Sequence, residues 1–152
     1  MNQTLAKPSQ VISTLNGLIE INRDAQKGFQ DAAERIAAPE IKAFCSEQSR
    51  SRAHYVGELQ TLVLSLGDEP ETSGTVTGAL RRGWMDLKAA FGGGDRAILN
   101  VIEAGEDHAI IEYDKALAKV LPSDVKGVVE HQCKSVKLTH DKIKALRDSV
   151  KK

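Results

Sequence analysis

The sequence predicts an all-α protein, a four-helix bundle built from two helical hairpins. Three observations lead to this fold class. Apolar residues recur at alternating spacings of three and four over four long stretches, which is the period of an amphipathic helix. Aromatic residues make up only 4% of the chain and apolar residues 41%, so aliphatic side chains must fill the core. Prolines and glycines fall between the stretches, where helices begin and end. A chain of 152 residues fits one domain over residues 1–152.

The first two helices are predicted to form a tight hairpin. The first is expected over residues 9–37, with Ser9 as its N-terminal cap. The second is expected over residues 39–66 and starts with Pro39, a position where the missing N–H leaves no hydrogen bond unmade. Polar residues interrupt both apolar seams: Asn22, Gln48 and Arg52.

A crossover of about 28 residues, 67–94, joins this hairpin to the next. Its length lets the chain return along the whole bundle. Apolar residues at helical spacing predict a short amphipathic helix over about residues 79–91: Leu80, Trp84, Leu87 and Phe91. Trp84 has two interpretations: it packs along the bundle, or it forms a docking surface for a partner together with Arg81 and Arg82.

The second hairpin is predicted from residues 95–121 and 123–151. Pro122 ends the third long helix and Ser123 caps the fourth. Polar residues again interrupt the seams: Glu103, Glu106 and Gln132. Two tight hairpins joined by one long crossover have the connectivity of the ferritin-like bundles.

The polar seam residues fall at similar depths of such a bundle, so they are expected to meet in its core. The first interpretation is a buried polar network that fixes the register of the helices, in which Arg52 pairs with Glu103 and Glu106. The expected members of this network are Asn22, Gln48, Arg52, Glu103, Glu106 and Gln132.

The alternative is a di-metal carboxylate centre that holds iron or manganese. Such centres take one inward Glu from each of two helices and a Glu-x-x-His motif from each of the other two. The chain meets this pattern only in part, and the permanent charge of Arg52 would repel a divalent ion. The prediction therefore favours no cofactor. The ligands of the alternative metal site would be Glu20, Asp24, Glu103, Glu106 and His140.

The charge balance excludes a general polyanion binder, because 21 basic residues face 21 acidic ones. Neither a nucleic acid nor a membrane is expected as a partner. Cys45 and Cys133 are too few for a disulfide framework and are predicted to be reduced. Residues 1–10 lack the apolar stretch of a secretory signal, and no apolar run approaches the roughly 20 residues of a membrane span. A cytoplasmic protein is therefore expected.

Residues 15–24, 74–88 and 103–107 resemble a bacterial family of ferritin-like four-helix-bundle proteins that is known mainly as a domain of unknown function. The crossover pattern Gly-x-x-x-Gly…Gly-Trp-x-Asp-Leu-Lys is the most specific part, and the resemblance covers nearly the whole chain. Positions typical of the family are occupied by Arg52, Trp84, Glu103, Glu106 and Asp107. The resemblance implies a ferritin-like fold, no established reaction and a role in bacterial stress physiology.

Together these observations predict a non-enzymatic structural or interaction module that associates with itself or with a protein partner. The alternative function is a ferritin-like di-metal protein that oxidises or stores iron or manganese.

Overall fold

The all-α four-helix prediction is confirmed. A computed structural model describes residues 5–70, 84 and 86–150. In this part of the chain there are four long helices and one short helix: α1 (Pro8–Arg35), α2 (Pro39–Ser65), α3 (Leu87–Ala90), α4 (Gly94–Leu117) and α5 (Ser123–Ser149). None of the helices in these ranges combines the length and the apolar character that crossing a bilayer requires.

A proline lies at or directly before the start of three long helices. Two of these helices do not have the cap residue that the sequence predicts. Pro8 is the first residue of α1 and Lys7 precedes it in an extended conformation, so Ser9 lies inside the helix instead of capping it. Pro39 begins α2 as predicted. Pro122 is the extended residue before α5, which makes Ser123 the first helical residue and not the cap.

In the described part of the crossover, the α-helix is shorter than the predicted helix over about residues 79–91. Residues 71–83 and 85, which include nearly half of the predicted segment 79–91, lie outside the described part of the chain. From residue 86 onward the α-helix spans only Leu87–Ala90, and the 3₁₀ turn Phe91–Gly93 follows it. Gly94, the first residue of α4, has a φ of 81°, a left-handed conformation that favours glycine.

The two hairpins turn at opposite ends of the bundle. At one end the carboxylate of Asp95, at the start of α4, accepts hydrogen bonds from the backbone N–H groups of Ala37 (2.7 Å) and Ala38 (3.0 Å) in the α1–α2 turn. At the other end the N–H of Ala6 donates to the carbonyl of Val120 (2.9 Å), in the α4–α5 turn. Helix α1 packs against α2 and α4, and α5 packs against α4 and α2. Helices α2 and α4 therefore face each other across the diagonal of the bundle.

The core consists of two apolar clusters. One is centred on residues such as Leu15, Leu59 and Val129, and the other on residues such as Phe29, Cys45 and Ile102. Buried polar residues separate the two clusters along the helices: Asn22 on α1, Arg52 on α2, Glu106 on α4 and Thr139 on α5. The helical periodicity that builds the core thus also places these groups at its middle.

Candidate functional site

A bidentate ion pair crosses the centre of the bundle between α2 and α4. Arg52 Nη1 donates to Glu106 Oε1 (2.8 Å), and Arg52 Nη2 donates to Glu106 Oε2 (2.5 Å). The two side chains are 1% and 0% exposed. Both carboxylate oxygens and both terminal guanidinium nitrogens are therefore occupied, in the planar geometry that suits an arginine and a carboxylate.

The surroundings keep this pair charged. Burial acts to lower the pKa of Arg52, but the adjacent Glu106 carboxylate outweighs it and holds that pKa above its ordinary value. The guanidinium carbon also lies 5.4 Å from the centre of the Phe29 ring, over its face. The positive charge in the middle of the core is thus permanent at any physiological pH.

A chain of hydrogen bonds joins all four long helices beside this pair. Asn22 Nδ2, on α1, donates to the hydroxyl of Tyr113 (2.7 Å) on α4. That hydroxyl donates to Gln132 Oε1 (2.7 Å) on α5, and Gln132 Nε2 donates to Glu58 Oε1 (3.0 Å) on α2. We call Asn22, Arg52, Glu106, Tyr113 and Gln132 the polar belt, because all five are buried.

Replacing Tyr113 by phenylalanine is expected to lower the free energy of unfolding by about 1–3 kcal/mol at pH 7. The hydroxyl is the bridge between Asn22 and Gln132, so its removal leaves Gln132 Oε1 without this donor and leaves one N–H of Asn22 Nδ2 without an acceptor, while the other N–H still donates to the carbonyl of Leu18. Urea denaturation of the two proteins measures the difference.

The difference in stability between the wild type and Tyr113→Phe should also depend on pH. Burial raises the pKa of Tyr113 above its ordinary value of 10.0. Above pH 10 the tyrosine of the unfolded chain loses its proton while the folded one keeps it, which favours the unfolded state. The stability advantage of the wild type over Tyr113→Phe should therefore shrink as the pH rises above about 10. A difference that stays constant up to pH 11 would show that the hydroxyl is not buried.

Two predicted members of the network lie elsewhere. Glu103 does not reach Arg52, and its Oε1 accepts a hydrogen bond from Arg147 Nη1 (2.6 Å) on α5. Residues three apart on a helix differ by about 60° in direction, so with Glu106 facing the centre, Glu103 faces the α4–α5 edge. Gln48 is only half-buried, and its Oε1 accepts from Thr139 Oγ1 (3.0 Å).

Tyr113 and Glu58 were not predicted as members of the hydrogen-bond chain. Tyr113 has the spacing of an apolar seam residue, and the signal was its hydroxyl, because a buried tyrosine hydroxyl needs a partner. Glu58 lies four residues after His54, a spacing typical of a helix-surface pair, and these two side chains lie 3.8 Å apart.

The polar belt does not fit a di-metal centre of the ferritin-like kind. Arg52 occupies both oxygens of Glu106, and α1 offers the amide of Asn22, whose nitrogen points at Tyr113 as a donor. The structure also does not bring the five alternative ligands together around one point. Glu103 and His140 lie close to each other at the α4–α5 edge, beside Asp107. Glu20 and Asp24 are on α1 and are not part of that group.

The docking interpretation of Trp84 is wrong, because this side chain is buried. It is 7% exposed and its ring centre lies 5.4 Å from that of Phe29, in an edge-to-face arrangement. Its indole lies over Gly28 of α1 and Gly105 of α4, where any Cβ atom would overlap with it. Arg81 and Arg82 lie outside the described residues.

Cys45 and Cys133 are both free and buried. Burial raises the pKa of the Cys45 thiol to about 12. Burial is also the main reason why the pKa of the Cys133 thiol is raised, and the nearby Asp114 adds to it. Neither sulfur is a thiolate nucleophile at neutral pH.

The fold and the diagonal core define this chain as a ferritin-like four-helix bundle. Residues 10–119 match the family model described as Domain of unknown function (DUF2383). The protein belongs to that family.

Solved structures with a similar fold have low sequence identity to this chain. A mutant of Dps1 from Mycobacterium smegmatis has a TM-score of 0.79 at 15% identity, covering 92% of this chain and 96% of its own. A two-domain protein from Anabaena variabilis, with DJ-1/ThiJ/PfpI-like and ferritin-like domains, has a TM-score of 0.77 at 13% identity. That match covers 95% of this chain and 37% of the other. No curated protein is similar enough in sequence to count as a relative.

Proposed function

We propose that this protein is a non-enzymatic interaction module, a ferritin-like bundle that has an ion pair in its core instead of a di-metal centre and that assembles with copies of itself. The observation that carries the proposal is the buried bidentate contact between Arg52 and Glu106. A cation fixed at this depth repels a divalent ion and occupies the carboxylate that would bind it. The raised pKa values of the two thiols further support a role without nucleophilic catalysis.

Metal analysis tests the core. Protein purified from iron-supplemented cells is expected to hold fewer than two iron or manganese ions per chain. Glu106→Gln, which removes the charge and keeps the shape, should not change that content, provided circular dichroism shows that the variant is folded. Two metal ions per folded chain that are lost in Glu106→Gln would refute the proposal and establish the di-metal alternative.

Light scattering tests the assembly. The native mass is expected to be at least twice the 16.5 kDa of one chain. The interface is sought among large apolar side chains that are more than half exposed, on three different helices: Leu64, Ile111 and Leu138. Replacing whichever of these three residues lies in the interface by glutamate should lower the native mass without lowering the melting temperature. A native mass of one chain would contradict self-association.

A further inference from the structure

A second group of polar side chains lies outside the polar belt, at the partly exposed edge between α4 and α5. Glu103 and Asp107 are one helical turn apart on α4, and His140 faces them from α5. Each offers a ligand atom, and these atoms all lie within 4.8 Å of one another. We call these three residues the edge cluster.

The imidazole of His140 has a carboxylate oxygen at each of its nitrogens. Nε2 lies 2.6 Å from Asp107 Oδ1, and Nδ1 lies 3.4 Å from Asp141 Oδ1. A neutral imidazole has one N–H, so it can donate to only one of the two. The arrangement is satisfied by a cation at the ring, which is either a second proton or a metal ion bound to Nε2. In metal sites the other ring nitrogen commonly donates to a carboxylate, which is the position of Asp141.

One carboxylate oxygen of Glu103 has no hydrogen-bond donor in the described part of the chain. Its Oε1 accepts from Arg147, whereas its Oε2 is buried and accepts no hydrogen bond from any described residue. A buried carboxylate oxygen without a partner is costly, and a bound cation would remove that cost.

The charge around the edge cluster also favours a cation. The carboxylates of Glu103, Asp107, Asp141 and Asp148 contact His140 or Arg147, and the guanidinium of Arg147 is the only permanent positive charge in these contacts. Acidic groups therefore exceed permanent basic ones there, although the whole chain is neutral.

We propose that the edge cluster binds one divalent transition-metal ion through His140 Nε2 and the carboxylates of Asp107 and Glu103. An imidazole with two carboxylates suits Mn²⁺, Fe²⁺ or Zn²⁺, whereas Mg²⁺ and Ca²⁺ prefer oxygen ligands alone. Three protein ligands leave positions for water. The site is separate from the polar belt, since Glu106 and Arg52 take no part in it, so it does not depend on the function proposed above.

Electron paramagnetic resonance with Mn²⁺ tests the site, because bound Mn²⁺ loses the sharp signal of the free ion. The full-length protein, stripped with a chelator, is expected to bind one Mn²⁺ per chain in the presence of excess Mg²⁺. Asp107→Asn and His140→Ala should each weaken the affinity at least about tenfold. Asp107 is 57% exposed, so its replacement is not expected to unfold the chain. The matched control is His54→Ala, which removes an exposed histidine that also lies beside a carboxylate.

The same samples give a second readout, the melting temperature. Mn²⁺ should raise it in the wild type and in His54→Ala but not in His140→Ala, because a ligand that binds only the folded state stabilises it. The proposal is overturned if the wild type does not bind Mn²⁺ in the presence of Mg²⁺, if His140→Ala binds it as the wild type does, or if His54→Ala loses binding to the same extent.

Discussion

Replacing Arg52 by alanine is expected to lower the free energy of unfolding by about 3–5 kcal/mol. The substitution leaves the Glu106 carboxylate fully buried, without the two hydrogen bonds and the opposite charge that it has in the native bundle. It also removes the cation from the face of Phe29. Urea denaturation followed by circular dichroism measures the loss, and an unchanged m-value would show that the two states still differ by the same surface.

A double substitution separates the cost of the stranded charge from the value of the pair. Arg52→Met combined with Glu106→Leu replaces both partners by apolar side chains, and it should recover most of the stability, since buried ion pairs are often no better than apolar packing. Lys27→Ala is the surface control, because Lys27 is 71% exposed and lies 3.4 Å from Asp31. It should change the stability by less than about 1 kcal/mol. Equal effects of Arg52→Ala and Lys27→Ala would contradict a buried pair.

The helical period was enough to place most of the polar belt. Asn22, Arg52, Glu106 and Gln132 interrupt apolar seams, and all four are buried in the structure. This worked because a residue on the seam of a bundle helix has little choice of direction once the apolar residues around it face the core. The connectivity followed from proline, glycine and the crossover length in the same way.

The partners of these residues could not be predicted with the same certainty. Glu103 and Glu106 both occupy seam positions, and only the rotation of α4 about its axis decides which one faces the diagonal. That rotation depends on packing between helices. The structure turns Glu106 toward Arg52 and Glu103 toward Arg147. The edge cluster was predicted only in part: Glu103 and His140 were expected among the alternative metal ligands, whereas Asp107 gave no sign in the sequence of lying opposite His140.

Trp84 illustrates a contact whose two sides are far apart in the chain. An isolated tryptophan beside two arginines is compatible with a docking surface, and the glycines that make room for it lie on α1 and α4. The sequence does not indicate which side chain packs against a glycine within a helix. Only the fold shows that Gly28 and Gly105 form one slot for the indole.

Replacing Trp84 by alanine is expected to lower the free energy of unfolding by about 3–5 kcal/mol, because the indole fills the space between α1 and α4 beside Phe29. Light scattering should show an unchanged mass, as a buried side chain takes no part in assembly. A lower mass with unchanged stability would return Trp84 to an interface.

Gly105→Ala tests the slot itself, and its effect should change sign with the residue at position 84. In the wild type the new Cβ would lie 2.6 Å from Trp84 Nε1, so the indole must shift, at a cost of about 1–3 kcal/mol. In the Trp84→Ala background that obstacle is gone, and alanine should stabilise the helix by about 0.5–1 kcal/mol over glycine. Gly57→Ala is the matched control, because a Cβ there has no neighbour within 4 Å. It should be stabilising in both backgrounds, whereas a Gly105→Ala effect that is independent of residue 84 would mean that the indole does not occupy the slot.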